Sequence, residues 1–209
     1  MKKILFFVFA AMVASFTVNA QQPTVSLKSD PSKEAKKEAK AFQKDGWQVP
    51  AGALPLARQL ERSWELKYTF DANGYETYIE GQAMSIGATY DAARMQALEL
   101  AKIDLIGKLE SQITQITENT VANSQLSREQ AESVTKTVAA SKSIVSQKLG
   151  RVMTVVELYR EKPRKNKEVL LRIYYNKEKA MQVAANTIRE ELAKEGKQLH
   201  EELNKALGN

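Results

Sequence analysis

The sequence predicts an α+β fold: an antiparallel sheet of two β-hairpins with long helices packed on one face, in β-β-α-α-β-β-α order. Three observations carry that prediction. Alternating or β-branched runs occur in two pairs, 64–70 with 75–87 and 151–160 with 168–176. A short polar turn joins the members of each pair. Between and after the pairs, apolar residues recur at helical spacing over 89–119, 127–149 and 177–207.

Each element follows from its own residues. Lys2 and Lys3 precede an apolar run from Ile4 to Val18, and Val18-Asn19-Ala20 places small residues at the −3 and −1 positions. This pattern predicts an export signal over residues 1–20, cleaved after Ala20. Residues 21–63 are expected to form an extended, partly helical N-terminal region, and 64–209 a single α+β domain. Within the first of these, Asp30 is placed to cap a helix that opens on Pro31 and stops at Asp45-Gly46. Its Lys, Glu and Ala residues give almost no apolar face, so a solvated helix is expected. Pro50, Gly52 and Pro55 break the segment that follows. Trp47, Val49, Leu54, Leu56 and Leu60 can pin it to a core, with a short helix from Pro55 to Arg62.

In "WELKYTF", Trp64, Leu66, Tyr68 and Phe70 alternate with Glu65, Lys67 and Thr69, which reads as a half-buried strand. "DANG" is a turn, with Asn73-Gly74 suited to positive φ. The second strand, 75–87, puts Gly81 and Ala83 on one face with Tyr75, Thr77 and Ile79, and Glu76 and Glu80 on the other with Tyr78 and Gln82. Thr89 is the expected N-cap of the first long helix, and Asp91 favours its first turn. Leu98, Ala101, Leu105, Leu109, Ile113 and Ile116 form its stripe. Ala93, Ala97, Leu100, Ile103 and Ile106 widen the apolar surface, so covering on more than one side is expected. Ser127 and Gln130 fit a capping box for a helix reaching Leu149, with Gly150 after it. A second hairpin is predicted around "EKPRKNK", and Ala185, Ile188, Leu192, Leu199 and Leu203 mark the last helix.

The chemical candidates are few. The net charge is +6, and would fall to +4 with the loss of Lys2 and Lys3, a mild basic excess. There is no cysteine, which excludes thiolate metal sites, a cysteine nucleophile and lipid anchoring through a lipobox. The single histidine, His200, rules out a multi-imidazole metal site. Gly81 and Gly87 do not make a phosphate loop: the spacing is one residue too long, and Ala88 stands where the lysine belongs. Ala83 breaks the dinucleotide pattern as well. Small residues on strand and helix instead indicate a close strand–helix contact. Glu76 and Glu80 are expected on a solvated face, Arg94 and Asp104 in a structural ion pair or at an edge position, and His200 in solvent. No catalytic, cofactor or metal residues are assigned. The candidate binding patch is Arg160, Lys162, Arg164, Lys165, Lys167 and Arg172, with Tyr159, Tyr174 and Tyr175 close in sequence. Basic and aromatic side chains together suit anionic headgroups or polymers.

Gly81, Ala83, Ala92, Ala93, Arg94, Ala97, Leu98, Ala101 and Leu105 carry a resemblance. A strand with G-x-A, a short turn and an A-A-R-x-x-A-L-x-x-A helix resembles the LPP-twenty lipoprotein family. It is also similar in style to the N-terminal domain of flagellar assembly protein T. The likeness covers about 75–175. It implies a cell-envelope protein of Gram-negative bacteria with an α+β fold and no known catalysis. The family's lipid-anchoring cysteine has no counterpart here.

The combined expectation is a non-enzymatic exported protein of the periplasm or outer-membrane surface, acting as a structural or protein-binding module. Its partners would be envelope proteins, not nucleic acid. The alternative is a binder of membrane surface or peptidoglycan through the 160–172 hairpin, and a third reading is an exported carboxylate hydrolase.

Overall fold

In the computed structural model, residues 30–122 and 128–194 are described. The export signal, Ser127, His200 and the last helix beyond Lys194 lie outside these residues. The class is α+β. Helices α1 (Lys33–Lys44) and α2 (Leu56–Lys67) precede strand β1 (Tyr78–Gly87). Helices α3 (Tyr90–Ala122), α4 (Arg128–Ala140) and α5 (Lys142–Lys148) follow, then strands β2 (Met153–Glu161) and β3 (Lys167–Asn176), and helix α6 (Lys177–Lys194).

The sheet has three strands in the order β1-β3-β2, both pairs antiparallel. The expected hairpin at 151–176 forms. The expected strand at 64–70 does not: those residues complete α2 and the turn after it. The reason lies in its buried stripe, Leu56, Gln59, Leu60, Ser63 and Leu66, which has helical period. Gln59 and Ser63 are polar, which hid that period from a hydrophobic reading. Trp64 and Leu66 then imitated an alternation. The "DANG" turn is present, with Gly74 at φ 82°, but the hairpin is reduced to one bridge between Phe70 and Glu76.

Helices cover both faces of the sheet, not one. On β3, Val169, Leu171 and Ile173 face α3, while Leu170 faces the other way, into a cluster with Trp47, Leu56, Leu60, Val156 and Leu158. Two-sided burial explains the continuous apolar run of β3. Helix α1 is not solvated on all sides. Ala35 and Ala39 are buried, and small alanines let α1 lie close to α2 without a conspicuous stripe. Its N-cap is Ser32, whose hydroxyl accepts from the Ala35 N–H at 3.2 Å. Leu54 is the one expected pin that stays exposed.

Helix α3 starts as expected, with the Thr89 hydroxyl accepting from the Ala92 N–H. Its stripe of Ala101, Leu105, Leu109 and Ile113 is buried with Ile79, Val134, Val138 and Ile188, which joins α4 and α6 to the same core. The expected helix to Leu149 is broken at Ser141 into α4 and α5. The buried Ser141 hydroxyl bonds back to the Thr137 carbonyl at 2.7 Å, a contact that bends helices.

The close strand–helix contact is present. A Cβ built at Gly81 would stand 2.2 Å from the Ala101 carbonyl oxygen, and one at Gly87 would stand 2.7 Å from the Ala93 nitrogen. Backbone thus packs on backbone. Gly81→Ala should lower stability by about 1–3 kcal/mol through overpacking. Gly107→Ala, where the added Cβ meets only a lysine tip at 3.5 Å, should raise it by about 0.5–1 kcal/mol. Urea unfolding of both variants measures this; equal midpoints for Gly81→Ala and wild type would remove the contact from the account.

Candidate functional site

The β2–β3 hairpin narrows to a tip through a 3-10 turn at Pro163–Lys165, closed by the Lys162 N–H to the Asn166 carbonyl at 2.8 Å. Arg164 and Lys165 stand at φ 64° and 62°, left-handed backbone that is uncommon outside glycine. Both side chains are exposed, and neither makes an ion pair with a described residue.

The other four members of the expected patch are engaged within the fold. Arg160 donates to Glu168 at 2.5 Å and to the Asp45 carbonyl at 3.1 Å, and its guanidinium lies 4.5 Å from the Trp47 ring centroid. Lys162 also pairs with Glu168, at 3.2 Å, and Lys167 pairs with Glu161. Arg172 donates to the Gln82 side chain at 2.6 Å, away from the tip, and to the Ser63 hydroxyl at 3.3 Å. The aromatic partners disperse too. Tyr159 meets Tyr90 edge-on with centroids 5.5 Å apart, and Tyr174 is fully buried. Strand alternation sends neighbours to opposite faces, and both faces are covered. Of the six patch residues, Arg164 and Lys165 are therefore the two left without an ion pair or side-chain hydrogen bond among the described residues.

Glu80 is not on a solvated face, because α2 covers that side of the sheet. Its carboxylate accepts from the Tyr174 hydroxyl, which also lies 2.9 Å from both the hydroxyl and the carbonyl of Ser63. Burial first, then the neighbouring Glu80 carboxylate, pushes the Tyr174 phenol well above its ordinary value. A cavity of about 240 Å³ opens beside this network, with Lys67, Glu76, Glu80 and Lys108 on its walls. Glu76 is paired with Lys177 at 3.3 Å. Both acids thus hold structural partners. Ser63 at helical spacing from Leu56, Leu60 and Leu66 was the sequence signal for this network.

A second network ties α3 to the sheet. Arg94 donates to Glu157 through Nε at 2.6 Å and Nη2 at 3.3 Å, and the Tyr90 hydroxyl bonds the same carboxylate. The Glu157 hydrogen bond raises the Arg94 pKa, while burial, then Glu157, raises that of Tyr90. Asp104 pairs with Lys108 at 2.9 Å. Arg94 is thus in a structural ion pair, and Asp104 stands at the edge of the sheet.

One surface was not expected. Tyr68, Phe70 and Tyr75, placed on strands from sequence, are exposed on the loop between α2 and β1. Asp71 shapes this loop: its carboxylate accepts from the Asn73 and Tyr75 N–H groups at 2.8 and 2.9 Å. No described residues form a group of three or more potential metal ligands, and no described helix is long and apolar enough to cross a membrane.

Two stability predictions follow from these networks. Tyr174→Phe should lose about 1–3 kcal/mol in urea unfolding, since Ser63 and Glu80 are left short of a partner. Burial raises the Glu168 pKa, but bonds from Arg160 and Lys162 outweigh it and hold the carboxyl below its ordinary value. Its stabilising contribution is complete above the unfolded value and is lost as pH falls through the folded one. Glu168→Gln should therefore unfold at lower urea than wild type near neutral pH, and the gap should narrow as pH falls below the ordinary glutamate value of about 4.3. Comparison with family models, with curated proteins and with solved structures finds no match to this chain.

Proposed function

We propose that this chain is an exported cell-envelope protein that works as a protein-binding module, without catalysis of its own. The observation that carries the reading is the loop of Tyr68, Phe70 and Tyr75, three exposed aromatic residues held by an Asp71-centred turn. Aromatic residues supply large contact area at low entropic cost and are enriched in the buried centres of protein interfaces. A concavity of about 200 Å³, walled by Tyr75, Glu76 and Lys177, lies beside them. The export pattern of residues 1–20 and the resemblance of 75–175 to the LPP-twenty family support the compartment. Titratable groups at Glu80, Glu157 and Glu168 serve the fold in paired networks, which favours binding over acid–base work.

The test is recovery of a defined partner from envelope extract by the wild-type chain. The Tyr68→Ala/Phe70→Ala/Tyr75→Ala variant should lose that partner at least tenfold while keeping its thermal midpoint. Equal recovery by both would overturn the reading.

A second reading rests on Arg164 and Lys165, two exposed cations without ion-pair partners among the described residues, at the hairpin tip. Through them the protein would hold an anionic membrane surface or wall polymer. Sedimentation with anionic vesicles or peptidoglycan should fall several-fold in Arg164→Gln/Lys165→Gln. Unchanged sedimentation would end this second reading.

A further inference from the structure

The two edges of the sheet are treated differently. Gln48 covers the outer edge of β2, exchanging backbone hydrogen bonds with Tyr159 at 2.8 and 2.9 Å. On the outer edge of β1, side chains of α3 stand in for a strand. Asp104 accepts from the Gln82 N–H at 2.9 Å, and Lys108 donates to the Glu80 carbonyl at 2.8 Å. Those bonds show that the even positions of β1 direct their backbone groups outward, since alternate residues of an antiparallel edge point to opposite sides. Met84 and Ile86 are the next two even positions. Their backbone groups lie on the edge beyond the reach of this cap.

The side chains at this opening are apolar and exposed. Met84 is 52% and Ile86 51% exposed. Leu100 lies between Gln96, which bonds Ser85, and Asp104, on the helix row that runs along the same edge. Leu100 and Ile103 are 40% and 44% exposed, although the sequence led us to expect them covered. An open strand edge lined with apolar side chains is a pairing template that monomers normally blunt with charge. Here the charge stops at Gln82.

We propose that β1 between Met84 and Gly87 is a homodimer interface, where a second copy lays its own β1 antiparallel and joins the two three-stranded sheets edge to edge. The occupant follows from three features. A two-fold axis through Ser85 sets Met84 opposite Ile86 of the second copy and Ile86 opposite its Met84. Each pair exchanges both backbone hydrogen bonds, and no charge meets like charge. The lengths also agree: β1 ends at Gly87 and the chain turns into α3, which places that turn opposite Gln82, where the cap of the other copy begins. Charge is complementary at the ends: by the same register the Glu80 carbonyl, where Lys108 is bonded, stands opposite residue 90 of the other copy, beside Asp91 in the first turn of its α3. Between those ends the edge is neutral, so two copies of a basic chain can meet on it without like-charge repulsion.

Light scattering and sedimentation equilibrium of the full chain test this. The wild type should run at twice the chain mass, and Met84→Lys at the mass of one chain with an unchanged helical spectrum. The absence of native cysteine allows a register test that does not depend on that variant folding well. A mixture of Met84→Cys and Ile86→Cys chains should form a disulfide-linked dimer on mild oxidation, at several times the yield of either variant alone. A wild-type chain that stays monomeric at about 100 μM would overturn the proposal, even if that edge captured another protein. So would a dimer that survives Met84→Lys, or equal cross-linking in the mixture and the single variants.

Discussion

The approach of β1 to α3 is the constraint on which the other contacts depend. At Gly81 the strand backbone lies so near the Ala101 carbonyl that even a methyl group has no room. Nothing longer than alanine stands at Ala93, Ala97 or Ala101 on the helix side, and all three are buried. Because the helix runs this close to the strand, its side chains reach around the edge. Gln96 bonds Ser85, Asp104 bonds the Gln82 backbone and Lys108 bonds the Glu80 backbone. The glycines that resemble a phosphate loop in the sequence thus set a distance, and that distance determines how the sheet edge is finished.

On the opposite face, helix α2 meets the sheet with a stripe that includes Gln59 and Ser63, and both find partners there. Gln59 accepts from the Glu157 N–H at 2.8 Å and donates to the Leu54 carbonyl at 2.7 Å. Ser63 joins Tyr174 and Glu80. Buried polar groups are tolerated when each is bonded, and such networks tie one helix to one register. Both faces therefore combine apolar and polar contact: Arg94 and Tyr90 of α3 bond Glu157 on one side, and Gln59 and Ser63 of α2 bond the sheet on the other. The two faces also explain why basic residues close in sequence separate in space. Arg160 and Arg172 serve the α2 side, and of the six patch residues Arg164 and Lys165 at the tip stay available to other molecules.

Much of the organisation was legible in the residues. The second hairpin, the Thr89 cap, the α3 stripe and the small-residue contact all carry local signals of period, capping or size. The strand expected at 64–70 misled because Trp64, Leu66, Tyr68 and Phe70 alternate with polar residues, although only Leu66 of the four is buried. Only the buried Gln59 and Ser63, polar and so silent in a hydrophobic count, separate helix from strand there. The basic patch misled for another reason. Glu161 and Glu168 lie within the same hairpin and pair with Arg160, Lys162 and Lys167 across it, whereas the partner of Arg172, Gln82, comes from a strand 90 residues away.

By itself the sequence determined the class, the hairpin at 151–176, the long helix after Gly87 and the need for small residues where the two meet. These are local matters of period, turn chemistry and side-chain volume. Only the tertiary structure decided the number of strands, the covering of both sheet faces, the engagement of Arg160, Lys162, Lys167 and Arg172, and the exposure of Tyr68, Phe70, Tyr75, Met84 and Ile86. The reason is physical. Whether an apolar or charged side chain is buried, bonded or free depends on what another element places beside it, and that element lies elsewhere in the chain.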